Sequence, residues 1–77
     1  MSEHVYKVVE LVGSSKESIE DAISGAIGRA SETLRNLDWF EVKEIRGTIQ
    51  DGKPGWYQVK LGVGFRVLEP SDIHREA

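Results

Sequence analysis

Apolar and polar side chains alternate along three stretches of this chain, and a fourth stretch repeats its apolar residues at helical spacing. Residues 5–12 read Val-Tyr-Lys-Val-Val-Glu-Leu-Val, a β-branched run that predicts a first strand, and Gly13 ends it. Ser14 then suits a helix N-cap, and Glu17 completes a capping box. Each side chain can accept a backbone N–H that the first helical turn leaves unpaired. Ile19, Ala22, Ile23, Ala26, Ile27, Ala30, Leu34 and Leu37 form one stripe, which predicts a helix from about residue 15 to 36. Lys16, Glu20, Asp21, Ser24, Glu32 and Arg35 mostly take the other side. Alanines in the stripe allow the helix to approach a sheet closely. Gly25 and Gly28 each cost the helix about 1 kcal/mol relative to alanine. They are either tolerated surface positions or points of close contact with a neighbour.

Asn36 to Asp38 offer a stop and a turn, and a second strand runs from Trp39 to about Gln50. Asp51-Gly52-Lys53-Pro54-Gly55 is a turn cluster, so the third strand returns as a hairpin. In that strand Tyr57, Val59, Leu61, Val63, Phe65 and Val67 point one way, towards the core. Trp56, Gln58, Lys60, Gly62, Gly64 and Arg66 point the other. From Glu69 the chain reads as a polar tail that Pro70 detaches, with Ile73 its only sizeable apolar residue. One domain over residues 1–68 and a tail over residues 69–77 follow. The order is strand, helix, strand, strand, an α+β arrangement. The hairpin strands, at about 12 residues, are roughly twice the usual length. A sheet that long curls around its single helix.

The second strand carries large apolar residues of both parities. Phe40 and Val42 share one face, while Trp39, Ile45 and Ile49 have the opposite parity. Either a bulge lies near Lys43 or the sheet is covered on both sides. Trp56 adds to the face away from the helix. A monomer leaves these groups wet, and such a patch marks a contact surface that closed self-association covers. With Gln50 opposite Trp56, Thr48 faces Gln58 and Arg46 faces Lys60. Trp39 then lies roughly 30 Å from the level of Gln58. A small ligand that uses both must draw on at least two chains.

Composition strengthens the case for assembly. Seventy-seven residues allow one small core, which buries too little apolar surface on its own. There is no cysteine, and the two histidines, His4 and His74, sit near the termini, so disulfides and thiolate metal sites are excluded. The net charge of −3, with both signs mixed, argues against nucleic-acid binding by phosphate neutralisation. No apolar run is long enough to span a membrane. Met1-Ser2-Glu3-His4 lacks the basic start of a signal peptide, and the expected location is cytoplasmic.

No catalytic constellation stands out, because a nucleophile–histidine pair needs a histidine inside the fold. Glu17, Glu20 and Asp21 suit a helix N-terminus and a solvated face better than a metal site. Gly62-Val63-Gly64 lacks the strand-turn-helix setting of a phosphate loop and reads as room for close packing, another subunit included. Trp39 is the sharpest candidate. It is either an interface tryptophan packed only on protein or a stacking platform for a planar ring. Offset stacking contributes about 0.5–1.5 kcal/mol beyond area burial. The amide of Gln58 both donates and accepts, so it can match an imide edge. Arg46 can hold a phosphate bidentately. Glu41, Lys43 and Glu44 read as exposed-strand charges.

The stretch Leu37-Asp38-Trp39-Phe40-Glu41-Val42-Lys43-Glu44-Ile45-Arg46-Gly47 resembles the signature of the dodecins, small flavin-binding proteins. Tyr57-Gln58-Val59-Lys60-Leu61-Gly62-Val63-Gly64-Phe65-Arg66 does so too, as do Val12-Gly13-Ser14-Ser15, Ala26-Ile27-Gly28-Arg29-Ala30 and Thr33-Leu34. The resemblance covers about residues 5 to 66. It implies a three-stranded antiparallel sheet wrapped around one helix, in a hollow homododecamer. It implies stacked flavins (FMN, riboflavin or FAD) held between subunits for storage, with their photochemistry quenched and no reaction catalysed. The family's stacking tryptophan falls on Trp39, its flavin-edge glutamine on Gln58, its acidic position on Glu44 and a basic position on Arg46. Some bacterial members also bind coenzyme A at subunit junctions. The run Gly64-Phe65-Arg66-Val67-Leu68-Glu69 departs from the family's Gly-Phe-Arg-Leu-Glu by one extra residue, and the tail follows it. A flavoenzyme, a ligand-free structural oligomer and a primarily coenzyme A-binding protein are the competing readings.

Overall fold

The computed structural model describes residues 4–68. They form strand β1 (Val5–Ser15), helix α1 (Ile19–Ala30), strand β2 (Leu37–Gln50) and strand β3 (Lys53–Val67). The expected tail, with Pro70, Ile73 and His74, lies outside the described residues. The three strands make one antiparallel sheet in the order β1-β3-β2. The strand-helix-strand-strand order and the hairpin expected from the sequence are therefore present. β3 is central, and its alternation explains why. Val59, Leu61 and Val63 are its fully buried side chains and, with Ala22 of the helix, they form the core.

The helix is shorter than its apolar stripe. Ser18, not Ser14, is the N-cap, with extended backbone (φ −167°) and an Oγ that accepts the Asp21 N–H at 2.9 Å. Ser14 and Ser15 instead stay in β1, where they pair with Gln58 and Tyr57. Ladder pairing with β3 thus overrides the local capping signal at Ser14 and Glu17. Ser15 Oγ accepts from the Glu17 and Ser18 N–H groups and donates to Asp21 Oδ2 at 2.7 Å, tying strand end to helix start. At the other end the helix stops at Ala30. Asn36 takes the left-handed conformation (φ 63°), and Leu37 joins β2 while still packing against the core.

The alanine stripe does bring helix and sheet together, at Gly13. A Cβ there would collide with the Ala22 carbonyl and stand 3.0 Å from Ala26 Cβ. A Cβ at Gly25 or Gly28 would meet nothing within 4 Å beyond the neighbouring residues and backbone of the helix itself.

The hairpin differs in register. Asp51 (φ 54°) and Gly52 (φ 76°) are both left-handed, the signature of a two-residue type I′ turn, and Gln50 pairs with Lys53. The expected five-residue turn is wrong, and the strands slide accordingly. Arg46 faces Gln58 and Glu44 faces Lys60, where Arg46 had been expected to face Lys60. Three register shifts interrupt the pairing, at Leu37/Trp39, Val42/Glu44 and Gly47/Ile49. The middle one decides between the two alternatives for the mixed parity of β2 in favour of a bulge near Lys43. It places Phe40, Val42 and Ile45 opposite Val63, Leu61 and Val59, so all three share the helix side despite their mixed parity. Ile45 has the sequence parity of Trp39, and the extra residue turns it to the opposite face.

The helix rests on β1 and β3 and leaves β2 open. Of the fourteen residues of β2 only Leu37 is half-buried; the others are exposed, Ile49 to 82%. The radius of gyration is 16.2 Å, against about 11 Å for a compact chain of this length.

These contacts separate the glycines. Gly13→Ala should lower stability by about 1–3 kcal/mol through overpacking, and Gly28→Ala should raise it by about 0.5–1 kcal/mol. Urea midpoints at one protein concentration check both; a loss at Gly28 instead would place a neighbouring copy against the helix.

Candidate functional site

On the sheet face away from the helix, cross-strand pairing builds two clusters. Trp39 pairs with Gly64, and Tyr6 with Arg66. The Trp39 indole lies where a Cβ of residue 64 would be, with Cε2, Cζ2 and Cδ2 its nearest atoms. Tyr6 stands beside it, with ring centroids 6.1 Å apart and planes tilted by 58°. Trp39 remains 39% exposed. The site is therefore an indole with one side on backbone, one edge against a phenol, and a surface left open.

The second cluster is polar. Arg46 Nε donates to Gln58 Oε1 at 2.9 Å, and Lys60 Nζ stands 3.8 Å from Glu44 Oε1. Lys43 Nζ pairs with Glu10 Oε2 at 3.5 Å across the sheet. Of the four residues singled out from the sequence, Gln58, Arg46 and Glu44 come together and Trp39 does not join them. Gly64 stands six residues from Gln58 along β3, roughly 20 Å. The corrected register shortens the expected 30 Å without bringing the two within reach of one small molecule.

The room beside Gly62 and Gly64 is also not vacant. Side chains of the same chain occupy it. Trp39 lies over Gly64, and Lys43 Cε comes within 2.9 Å of the position a Gly62 Cβ would take. Tyr6 was missed in the sequence because it sits in the first strand with no turn or motif beside it. Its parity was the available signal, since it pairs with Arg66 on the outward face of β3. Trp56, farther along the same face, carries Lys16 Nζ 5.1 Å from its ring centroid.

Asp38 perturbs Tyr6. Its carboxylate, as hydrogen-bond acceptor and negative charge, holds the phenol above the ordinary tyrosine value, and partial desolvation acts the same way. Among the described residues no group of three or more His, Asp or Glu side chains could hold a metal ion. No described helix is long and apolar enough to cross a membrane.

A raised phenol favours the neutral form in the folded chain. Its contribution is present below the ordinary tyrosine value and is lost as pH rises through the folded one. Phenolate absorbance should show one of the two tyrosines ionising above 10.0, the unperturbed value. Asp38→Asn should bring that step down.

Comparison with known proteins closes the question of kinship. The dodecin family signature matches residues 5–68. The dodecin of Thermus thermophilus is 63% identical over 65 residues, 84% of this chain and 94% of that protein. The structure of the Streptomyces coelicolor dodecin superimposes with a TM-score of 0.83 at 51% identity, covering 90% of this chain and 99% of that one. The calcium dodecin of Mycobacterium tuberculosis is 30% identical over 63 residues, 82% of this chain and 89% of that protein. Crystal structures exist for Thermus variants that replace one tryptophan and two arginines. Those arginines stand seven and twenty-seven residues after the tryptophan, the spacing of Trp39, Arg46 and Arg66 here. Sequence signature, relatives and fold agree, and the chain belongs to the dodecin family.

Proposed function

We propose that this chain stores flavin. Copies assemble into a hollow homododecamer and hold stacked flavins, FMN or riboflavin-type, between subunits without catalysing a reaction. The observation that carries this reading is the half-built platform at Trp39. The indole is fixed from below by Gly64 and open above, and its polar complement lies roughly 20 Å away on the same face. A planar ring stacked there gains its second wall and its polar contacts only from another copy. The open apolar residues of β2, with Ile49, Phe40, Val42 and Ile45, supply surface for such an assembly.

The residues suit the ligand. Trp39 offers the aromatic face. Gln58 has its Oε1 already taken by Arg46, which leaves its amide NH2 free to donate to a ring carbonyl. The remaining guanidinium N–H groups of Arg46 are left for a ribityl phosphate. Glu44, paired with Lys60, keeps the polar cluster close to neutral. A flavin stacked on an electron-rich indole loses its excited state to the ring, which is the protective chemistry of the complex.

A purified wild-type particle should be yellow, carry quenched flavin fluorescence and have the mass of twelve chains. Trp39→Ala should weaken FMN binding by about tenfold or more, measured by fluorescence titration. A colourless oligomer indifferent to FMN would favour a structural role, and one that takes up coenzyme A alone would favour that ligand.

A further inference from the structure

We infer that Gly64 is a positioning residue for the aromatic platform: its missing side chain is the seat into which the Trp39 indole fits. The inference rests on the flavin reading above for its consequence, but on this chain alone for its geometry.

A Cβ built on Gly64 falls closest to Cε2, Cζ2 and Cδ2 of Trp39. Cδ2 and Cε2 form the bond shared by the two indole rings. An edge-on ring could not bring both of these nearest, so the indole lies face-down on the β3 backbone. Any side chain at residue 64 occupies the space of the ring and must drive it outward. The neighbouring Gly62 serves a different neighbour. There the nearest atom is Lys43 Cε at 2.9 Å, the far part of a flexible side chain that can move. The two glycines share a strand, a face and near-complete burial, yet only one of them sets an aromatic plane.

A bulge and a ring contact complete the seat. The bulge between Leu37 and Trp39 lets Leu37 pack on the core while Trp39 lands opposite Gly64 on the other face. Tyr6, 6.1 Å from the indole centroid, stands at its flank. The indole is thus oriented before any ligand arrives. A preformed plane spares the ordering cost of binding, so an undisturbed seat shows up as affinity.

The test uses the full chain and FMN. Gly64→Ala should bind FMN about tenfold more weakly than wild type, while Gly62→Ala stays within about threefold. In a Trp39→Phe background, adding Gly64→Ala should cost less than about threefold, because the seat no longer holds an indole. Without ligand, Gly64→Ala should also lose the near-ultraviolet circular dichroism that distinguishes wild type from Trp39→Phe, and Gly62→Ala should keep it. Wild-type affinity and dichroism in Gly64→Ala, or equal losses in Gly62→Ala, overturn the inference. If Gly64→Ala does not fold, recovery of a folded particle by Trp39→Ala in the same chain supports the clash, and no recovery overturns it. Should wild type itself ignore FMN, the storage reading fails while the dichroism still decides the seat.

Discussion

A helix of twelve residues rises roughly 18 Å, and a strand of fifteen extends roughly 50 Å. That mismatch governs the molecule. One short helix cannot cover a sheet whose strands run two to three times its length. It settles on β1 and β3, where Gly13 lets Ala22 and Ala26 approach, and it abandons β2. The core is correspondingly small: Val59, Leu61 and Val63 on the central strand, with Ala22 above them. Everything farther along the hairpin stays at the surface.

Bulges decide how that surface is divided. Without the extra residue at Lys43, Ile45 would turn away from Phe40 and Val42. With it, all three line up opposite the buried residues of β3 and form an apolar strip beside the helix. The irregularity at Asp38 does the reverse for Leu37 and Trp39, sending one to the core and the other outward. Each inserted residue breaks the period of two, and each break assigns a large side chain to a face. The outward face thereby receives the indole near one end, beside the Tyr6 phenol of β1, and a row of charged and amide groups towards the other.

The site inherits this geometry. Trp39 and Gln58 belong to one face but to different levels of the sheet, so neither completes a ligand pocket with the other. The hydrogen bond from Arg46 to Gln58 ties the polar half together, and the Gly64 backbone supports the aromatic half. A face split in this way suits symmetric assembly, because a second copy can bring one half against the other. The dodecin kinship and the exposed β2 strip point the same way.

The element types were legible in the sequence because they follow from local periodicity: alternation in residues 57–67 and helical spacing from Ile19, although the stripe ran on to Leu37, past the end of the helix at Ala30. Resemblance to a family signature singled out Trp39, Gln58, Arg46 and Glu44, and the sheet gathers the last three while it sets Trp39 apart. The N-cap was not legible, since Ser14 and Ser18 offer the same hydroxyl and only pairing with β3 holds the first of them in the strand. Register was not, since Asp51-Gly52 and the longer run to Gly55 both read as turns, and the difference slides Arg46 from Lys60 to Gln58. Nor was the use of Gly62 and Gly64, whose empty space belongs to Lys43 and Trp39 from the neighbouring strand. Local chemistry selects helix or strand residue by residue. Which side chains meet across strands depends on bulges and turn geometry, and those are settled only when the whole sheet packs.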